Sequence, residues 1–395
     1  MVTTAERYRA YTGVALFGMG FRPFFLFASL WAALTVPLWL ASFLGWTPAF
    51  TRDWHTHEML FGYLAGVVAG FLLTAIPNWT GRLPVSGWPL LALFALWVTG
   101  RGAMLFVDQL GSLAYVIDSL FLLSLAAIVW REVLAGKNVR NLPVCVLVSL
   151  FAVGNIAFHL RIPSLDASWI GERVALAIAA LLIALIGGRI VPSFTRNWMA
   201  KRSLAPLPAA QDRFDAVVLV FTTASLGAWI AKPDLAVVGI ALSASGAMLL
   251  IRLGRWQGWR TSSELLVLIL HIGYLWLGLA LFLLGASSWA SSIVTPSAGI
   301  HALAAGAIGV MTIAVMTRAT RGHTGRQLTA PWGTQLIYAL VNAGALARVA
   351  AAFFPNAYMP LLVASAFAWS AGFALFVLVY GPMLVASKAP RSKAR

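Results

Sequence analysis

The chain reads as an all-α polytopic membrane protein of twelve transmembrane helices, and three observations predict that class. Of its 395 residues, 61% are hydrophobic and only 10% charged, and the mean hydropathy is +0.86, whereas soluble domains carry about 25% charged residues. Its apolar runs are about 20 residues long, the length a helix needs to cross a bilayer. Barrel strands would instead alternate in segments of about ten residues. Finally, the basic residues fall on every second connection between those runs.

Taken in order, the runs predict spans at 14–44, 57–77, 88–107, 112–134, 141–160, 170–191, 214–231, 234–253, 263–286, 298–317, 334–354 and 358–386. With a cytoplasmic N-terminus, the inner connections are 1–12, 78–87, 131–140, 192–213, 252–262, 318–333 and the C-terminal tail. They hold 20 of the 28 Lys+Arg, against 3 (Arg52, Arg161, Lys232) on the opposite side. That asymmetry predicts both termini in the cytoplasm. It also absorbs the net charge of +16, which in a soluble protein would suggest nucleic acid; here the expected partner is the lipid bilayer. The expected organisation is a cytoplasmic N-terminal segment (1–12), a single transmembrane domain (13–386) and a basic cytoplasmic tail (387–395). The polar first dozen residues lead into a long span with no A-x-A-like site, so no signal peptide is expected.

Internal spacing predicts three pseudo-repeats of a four-helix unit. The second span leaves the membrane through Ala75-Ile76-Pro77-Asn78-Trp79-Thr80-Gly81-Arg82, the sixth through Ile190-Val191-Pro192-Ser193-Phe194-Thr195-Arg196, and the tenth runs into His323-Thr324-Gly325-Arg326. His57, Glu172 and His301 each precede the matching threonine by 23 residues, and Trp88 and Trp332 share the offset of His57 and His301.

The chemistry is concentrated in six histidines: His55, His57, His159, His271, His301 and His323. Imidazole is a ligand for copper and for haem iron. Cys145 is the only cysteine, which excludes a disulfide framework, haem held through C-x-x-C-H, iron–sulfur clusters and thiolate copper sites. Trp54-His55-Thr56-His57-Glu58 opens the second span. On an irregular lead-in its two imidazoles point the same way; on a helix they diverge by about 200°. Glu58 would orient a ligand imidazole or relay protons, or would only face the dipole of a helix N-terminus.

Arg22, Arg101, Asp118, Glu172, Arg173, Arg189 and Arg348 lie within or at the edges of spans, where an ionised group is costly unless paired or wet. Arg101 and Arg348 would neutralise buried carboxylates, while Asn155 and Asn342 read as hydrogen-bonding glue between helices. Tyr274, one turn beyond His271, would donate to a bound diatomic molecule or be satisfied by a neighbouring helix. His323 reads as a turn residue, either a ligand on a re-entrant loop or a contact for headgroups.

Together, Gly20-Phe21-Arg22-Pro23-Phe24-Phe25, Trp54-His-x-His-Glu-Met59, Ala75-x-Pro-Asn-Trp-Thr-Gly-Arg82, Ile186-Gly-Gly-Arg-x-x-Pro192, Leu270-His-x-Gly-Tyr-x-Trp276, His301-Ala-Leu and Gly322-His-Thr-Gly-Arg326 resemble the NnrS family, from about residue 17 to about 385. The resemblance implies a multi-pass protein of the bacterial inner membrane with non-covalent, b-type haem and copper, linked to nitric oxide and to defence against nitrosative stress. The metal candidates are then His55, His57, His159, His271, His301 and His323. His57, His271, His301, Arg22, Arg101 and Arg348 are candidates for holding the cofactor, and Glu58 and Tyr274 for moving protons.

Three functions fit. The first is reduction of nitric oxide to nitrous oxide, which needs two substrate molecules, two electrons and two protons, and an electron donor such as a quinol or a redox protein. The second is a non-catalytic haem protein that binds nitric oxide or protects metal centres. The third is a copper or haem transporter, for which inverted repeats are expected; the repeats here run in one orientation.

Overall fold

The computed structural model describes residues 12–160 and 167–386, and every regular element among them is helical. Arg161, the expected tail and nearly all of the expected N-terminal segment lie outside the described residues. Among the described residues, eleven helices are long and apolar enough to cross a membrane. They are α1 (Phe21–Phe43), α2 (Arg52–Thr80), α3 (Trp88–Leu105), α4 (Ser112–Ala135), α5 (Val139–Leu160), α6 (Trp169–Ala200), α7 (Arg213–Ala231), α8 (Ala236–Gly254), α9 (Leu265–Trp289), α10 (Pro296–His323) and α12 (Pro355–Val385). The helix at the expected eleventh span, α11 (Trp332–Ala350), has 19 residues; Thr334, Gln335, Asn342 and Arg348 keep it less apolar than the others. The chain is an all-helical, multi-pass membrane protein.

Local chemistry sets the boundaries. The first span starts at Phe21 rather than near residue 14, and Pro23 falls in its first turn, where the missing N–H costs no helical hydrogen bond. The Phe21 N–H is instead satisfied by Thr74 Oγ1 at 3.1 Å. Thr51 caps α2 by accepting from the Trp54 N–H at 3.2 Å, and Gly81, at φ +70°, ends it. Asp212 and Asp215 form a reciprocal capping box at the start of α7.

The chain divides into two compact units. The first takes the described chain up to Ala175, Arg318–Gln327 and the chain from Phe376 on. In it α1 packs on α2, α3 on α4, and α4 on α5, around an aromatic core of Phe21, Phe24, Phe25, Phe94, Trp97 and Phe121. The second unit comprises Leu176–Thr317 and Leu328–Leu375. Its closest pairing is α8 on α9, where Gly239, Ser243 and Gly246 lie against Gly278, Phe282 and Gly285.

Among the described residues, three helices contain a π-helical stretch: Glu58–Leu64 in α2, Ile183–Gly187 in α6 and Ala302–Ile308 in α10. Those in α2 and α10 start one residue after His57 and His301; the one in α6 starts at Ile183, well past the equivalent position after Glu172. Thr80, Thr195 and Thr324 each donate back to the carbonyl four residues earlier, at 2.8, 2.9 and 2.6 Å.

Candidate metal centre

Antiparallel α2–α5 bring the start of α2, the end of α3, the start of α4 and the end of α5 to one side of the first unit. These ends carry His57 and Glu58, Arg101, Asp118, and Asn155 with His159. Asp118 lies roughly 9 Å along the axis from the first residue of α4. His57 and Glu58 are 0% exposed and Asp118 1%, so water does not solvate these groups.

The lead-in Arg52–His57 is α-helical, so its two imidazoles diverge. His55 stacks on Trp39, with ring centroids 4.7 Å apart, and His57 turns inward. His57 Nδ1 lies 2.9 Å from Glu58 Oε1 and its Nε2 3.0 Å from Asp118 Oδ2. His159 Nε2 is also 3.0 Å from Asp118 Oδ2. Asn155 donates to that same oxygen at 2.9 Å, and its own Oδ1 is 3.3 Å from His57 Nε2. Arg101 bridges both carboxylates: one nitrogen donates to Glu58 Oε2 at 2.6 Å and the other to Asp118 Oδ1. Trp31 Nε1–H donates to Glu58 Oε2 at 2.7 Å.

Gly62, one turn after Glu58, is what lets these groups meet. A Cβ there would lie 2.8 Å from Arg101 Nη1, 2.8 Å from Glu58 Oε2 and 3.0 Å from Trp31 Nε1. The Gly62 carbonyl, inside the π-helical stretch, accepts from Trp97 Nε1–H at 2.9 Å. At the rim, half-exposed Arg52 pairs with buried Glu172 at 3.1 Å and lies over the Trp169 ring.

Charge counting gives the cluster its chemistry. Two carboxylates and one guanidinium sum to −1, and a residual charge buried in a membrane span is costly. Both nitrogens of His57 face carboxylate oxygens, and a nitrogen hydrogen-bonds a carboxylate only through a hydrogen it carries. The cluster therefore loses its net negative charge either with His57 as an imidazolium or with a metal cation among its donors. One donor atom each from His57, Asp118 and His159 lie within 4.8 Å of one another. Two imidazoles and a carboxylate suit a first-row transition metal.

The other expected residues lie elsewhere. His271 Nε2 is 2.7 Å from Thr195 Oγ1. That hydroxyl spends its hydrogen on the Val191 carbonyl, so the imidazole is the donor. His271 Nδ1 is buried without a hydrogen-bond partner, and its ring lies so close to Gly258 that a Cβ there would clash. Tyr274 is fully buried, and its hydroxyl accepts from Arg252 at 2.9 Å. Arg252 in turn pairs with Asp215 at 2.6 Å and donates to the Ala184 carbonyl at 2.9 Å. His301 Nδ1 donates to the Ser297 carbonyl at 2.9 Å. Arg348 contacts the Ser297 hydroxyl at 3.4 Å. His323 ends α10 with its ring 5.4 Å from that of Phe21. Arg22 donates to the Leu384 and Ala386 carbonyls at 2.9 and 2.7 Å, closing the end of α12.

Of the expected residues, then, the cluster gathers His57, Glu58, Arg101 and His159, and Arg101 meets protein carboxylates there. Asp118, Asn155 and Trp31 join them. Asp118 is a carboxylate inside an apolar helix, which is the signal that marks it; sequence reasoning counted it only as an intramembrane charge. Trp31 carries no such signal.

The profile described as "NnrS protein" matches residues 15–388, and the chain belongs to the NnrS family. No curated protein matches it.

Proposed function

We propose that this member of the NnrS family is a haem- and copper-containing membrane protein that acts on nitric oxide, with His57, Asp118 and His159 holding a metal ion. The observation that carries the proposal is the buried donor set, which carries one uncompensated negative charge unless a cation or a proton joins it. Nitrogen and carboxylate donors without thiolate fit copper(II) and non-haem iron(II) alike. If haem is bound, His301 would hold it better than His271. Its Nδ1–H is held by a backbone carbonyl, the support that ligating imidazoles usually have, whereas the ring of His271 is tied to Thr195 on one edge and covered by Gly258 on the other.

A bound transition metal supplies a centre that coordinates nitric oxide and exchanges electrons. The chain's own residues supply the rest. Arg101 holds Glu58 and Asp118 in place, Asn155 donates to the other Asp118 oxygen, Trp31 donates to the same Glu58 oxygen as Arg101, and the apolar wall excludes water. The hydrogen on His57 Nδ1 points at Glu58 Oε1, so Glu58 is the group that takes or returns a proton. Reduction of two nitric oxide molecules by two electrons and two protons gives nitrous oxide and water. The electrons come from a quinol or a redox protein. In the same reading the chain forms one transmembrane domain (13–386) in the bacterial inner membrane. It crosses twelve times, α11 included, with both ends cytoplasmic, as three repeats of four helices. The distribution of Lys and Arg and the recurring threonine bonds support this.

Anaerobic addition of nitric oxide and a reductant to purified protein tests the activity. Nitrous oxide formed catalytically supports reduction, and stoichiometric uptake with a spectral change supports binding alone. No uptake contradicts both. A second reading has its own observation: Asp118 Oδ2 already receives three protein partners, His57, His159 and Asn155. The row His159–Asp118–His57–Glu58 is then a chain of proton-carrying groups with no metal of its own.

A further inference from the structure

Arg348 lacks what the buried arginines of the described chain have. Arg101 and Arg252 pair with carboxylates, and Arg22 and Arg321 donate to main-chain carbonyls. Arg348, two residues from the end of α11, makes one long hydrogen bond, from Nη2 to Ser297 Oγ at 3.4 Å, while its Nη1 is buried without an acceptor. A snorkelling arginine would put that nitrogen in water, and one settled on its helix C-terminus would donate to the last carbonyls.

The sequence explains why no protein counter-charge is at hand. All 12 Asp+Glu lie at or before Glu264, so the last 131 residues contain none. Among the described residues no ion pair forms on Arg348. Ser297 links the arginine to His301, whose Nδ1 is held by the Ser297 carbonyl and lies 3.2 Å from its hydroxyl. At this end of the unit Trp289, Ile293 and Phe354 are exposed, an apolar surface beside a cation.

We infer that Arg348 and Ser297, with His301 beside them, form a binding site for the carboxylate or phosphate of a non-protein amphiphile. The planar guanidinium offers two parallel N–H groups to such an oxyanion, the Ser297 hydroxyl adds a third donor, and the exposed aromatic and aliphatic side chains take the apolar part. A lipid headgroup and the carboxylate side chain of a bound cofactor such as haem share this chemistry. The inference does not rest on the metal reading of the α2–α5 cluster.

The full chain, purified in mild detergent as wild type and as Arg348→Gln, is assayed for co-purifying phospholipid and haem per chain. Thermal stability is then measured after adding vesicles of phosphatidylglycerol, vesicles of phosphatidylcholine, or inorganic phosphate. The expected result is at least tenfold lower retention of one anionic molecule by Arg348→Gln. Stabilisation of wild type, and not of the variant, by phosphatidylglycerol alone identifies a lipid headgroup. Loss of haem from the variant with no response to either vesicle identifies a cofactor carboxylate. A response to inorganic phosphate alone retains the oxyanion site and overturns the amphiphile. Equal retention and equal responses in both proteins overturn the site. If Arg348→Gln does not fold, Ser297→Ala keeps the guanidinium and removes a donor; it should retain about threefold less, and unchanged retention overturns the inference.

Discussion

His57 Nε2 and Asp118 Oδ2 lie 3.0 Å apart on α2 and α4, and the same oxygen lies 3.0 Å from His159 Nε2 on α5. One carboxylate oxygen thus ties three helices together at a site nearly closed to water. Structure and chemistry converge on Asp118: it anchors two imidazoles and half of the guanidinium of Arg101, so changes at this residue and its partners should move stability and metal content together.

Arg101→Gln leaves Glu58 and Asp118 facing each other without their shared cation. Removing one partner of a buried charge pair costs about 3–5 kcal/mol, to be read as a lower unfolding midpoint in detergent. Arg101→Lys should recover little of that loss, because an ammonium cannot span two carboxylates as the guanidinium does.

Gly62→Ala pushes a methyl group between Arg101, Glu58 and Trp31. Overpacking of this kind costs about 1–3 kcal/mol, and metal content should fall with it. A methyl group on Gly102, the residue after Arg101, would meet nothing within 4 Å. Gly102→Ala should therefore be neutral or slightly stabilising, the usual gain for alanine in a helix. Equal effects from both substitutions would contradict the packing account.

Much of the fold was legible because apolar length is a local signal: each expected span has a helix, although the first starts only at Phe21 and the sixth runs on to Ala200. α11 was legible as a run, although Gln335, Asn342 and Arg348 thin its apolarity. The site was legible only in its ingredients. His57, Glu58, Arg101 and His159 stand out as polar groups in apolar helices, but which of them meet depends on how each helix is rotated about its axis. Hydropathy without a strong polar face does not fix that rotation. For the same reason the direction of His55, two residues from His57, depended on whether the lead-in is helical, and the neighbours that His271 and Tyr274 meet, Thr195 and Arg252, were not legible.

Outside the spans, Asp212 is exposed and receives a hydrogen bond from Arg255, which holds its carboxyl below the ordinary carboxylate range. The contact is present above the unfolded value of about 4 and is lost as pH falls through the lower folded value. Acidification should therefore loosen the connection before α7, read as faster hydrogen exchange over residues 201–212, and Asp212→Asn should remove that pH dependence.

Glu58→Gln keeps the shape of the side chain and removes its charge and its proton-accepting role. If Glu58 passes protons, turnover of nitric oxide should fall by about 10²–10⁴ while bound metal changes far less. Loss of metal and turnover in parallel would assign Glu58 to holding the site instead.

The central claim is that His57, Asp118 and His159 hold a metal ion together. Metal per chain, measured by elemental analysis on purified wild type and on His57→Ala, Asp118→Asn and His159→Ala, tests it most directly. The account predicts one transition-metal ion in wild type lost at least tenfold in each variant, with haem retained. Identical metal content in all four folded proteins would contradict it and leave the proton-carrying row in its place.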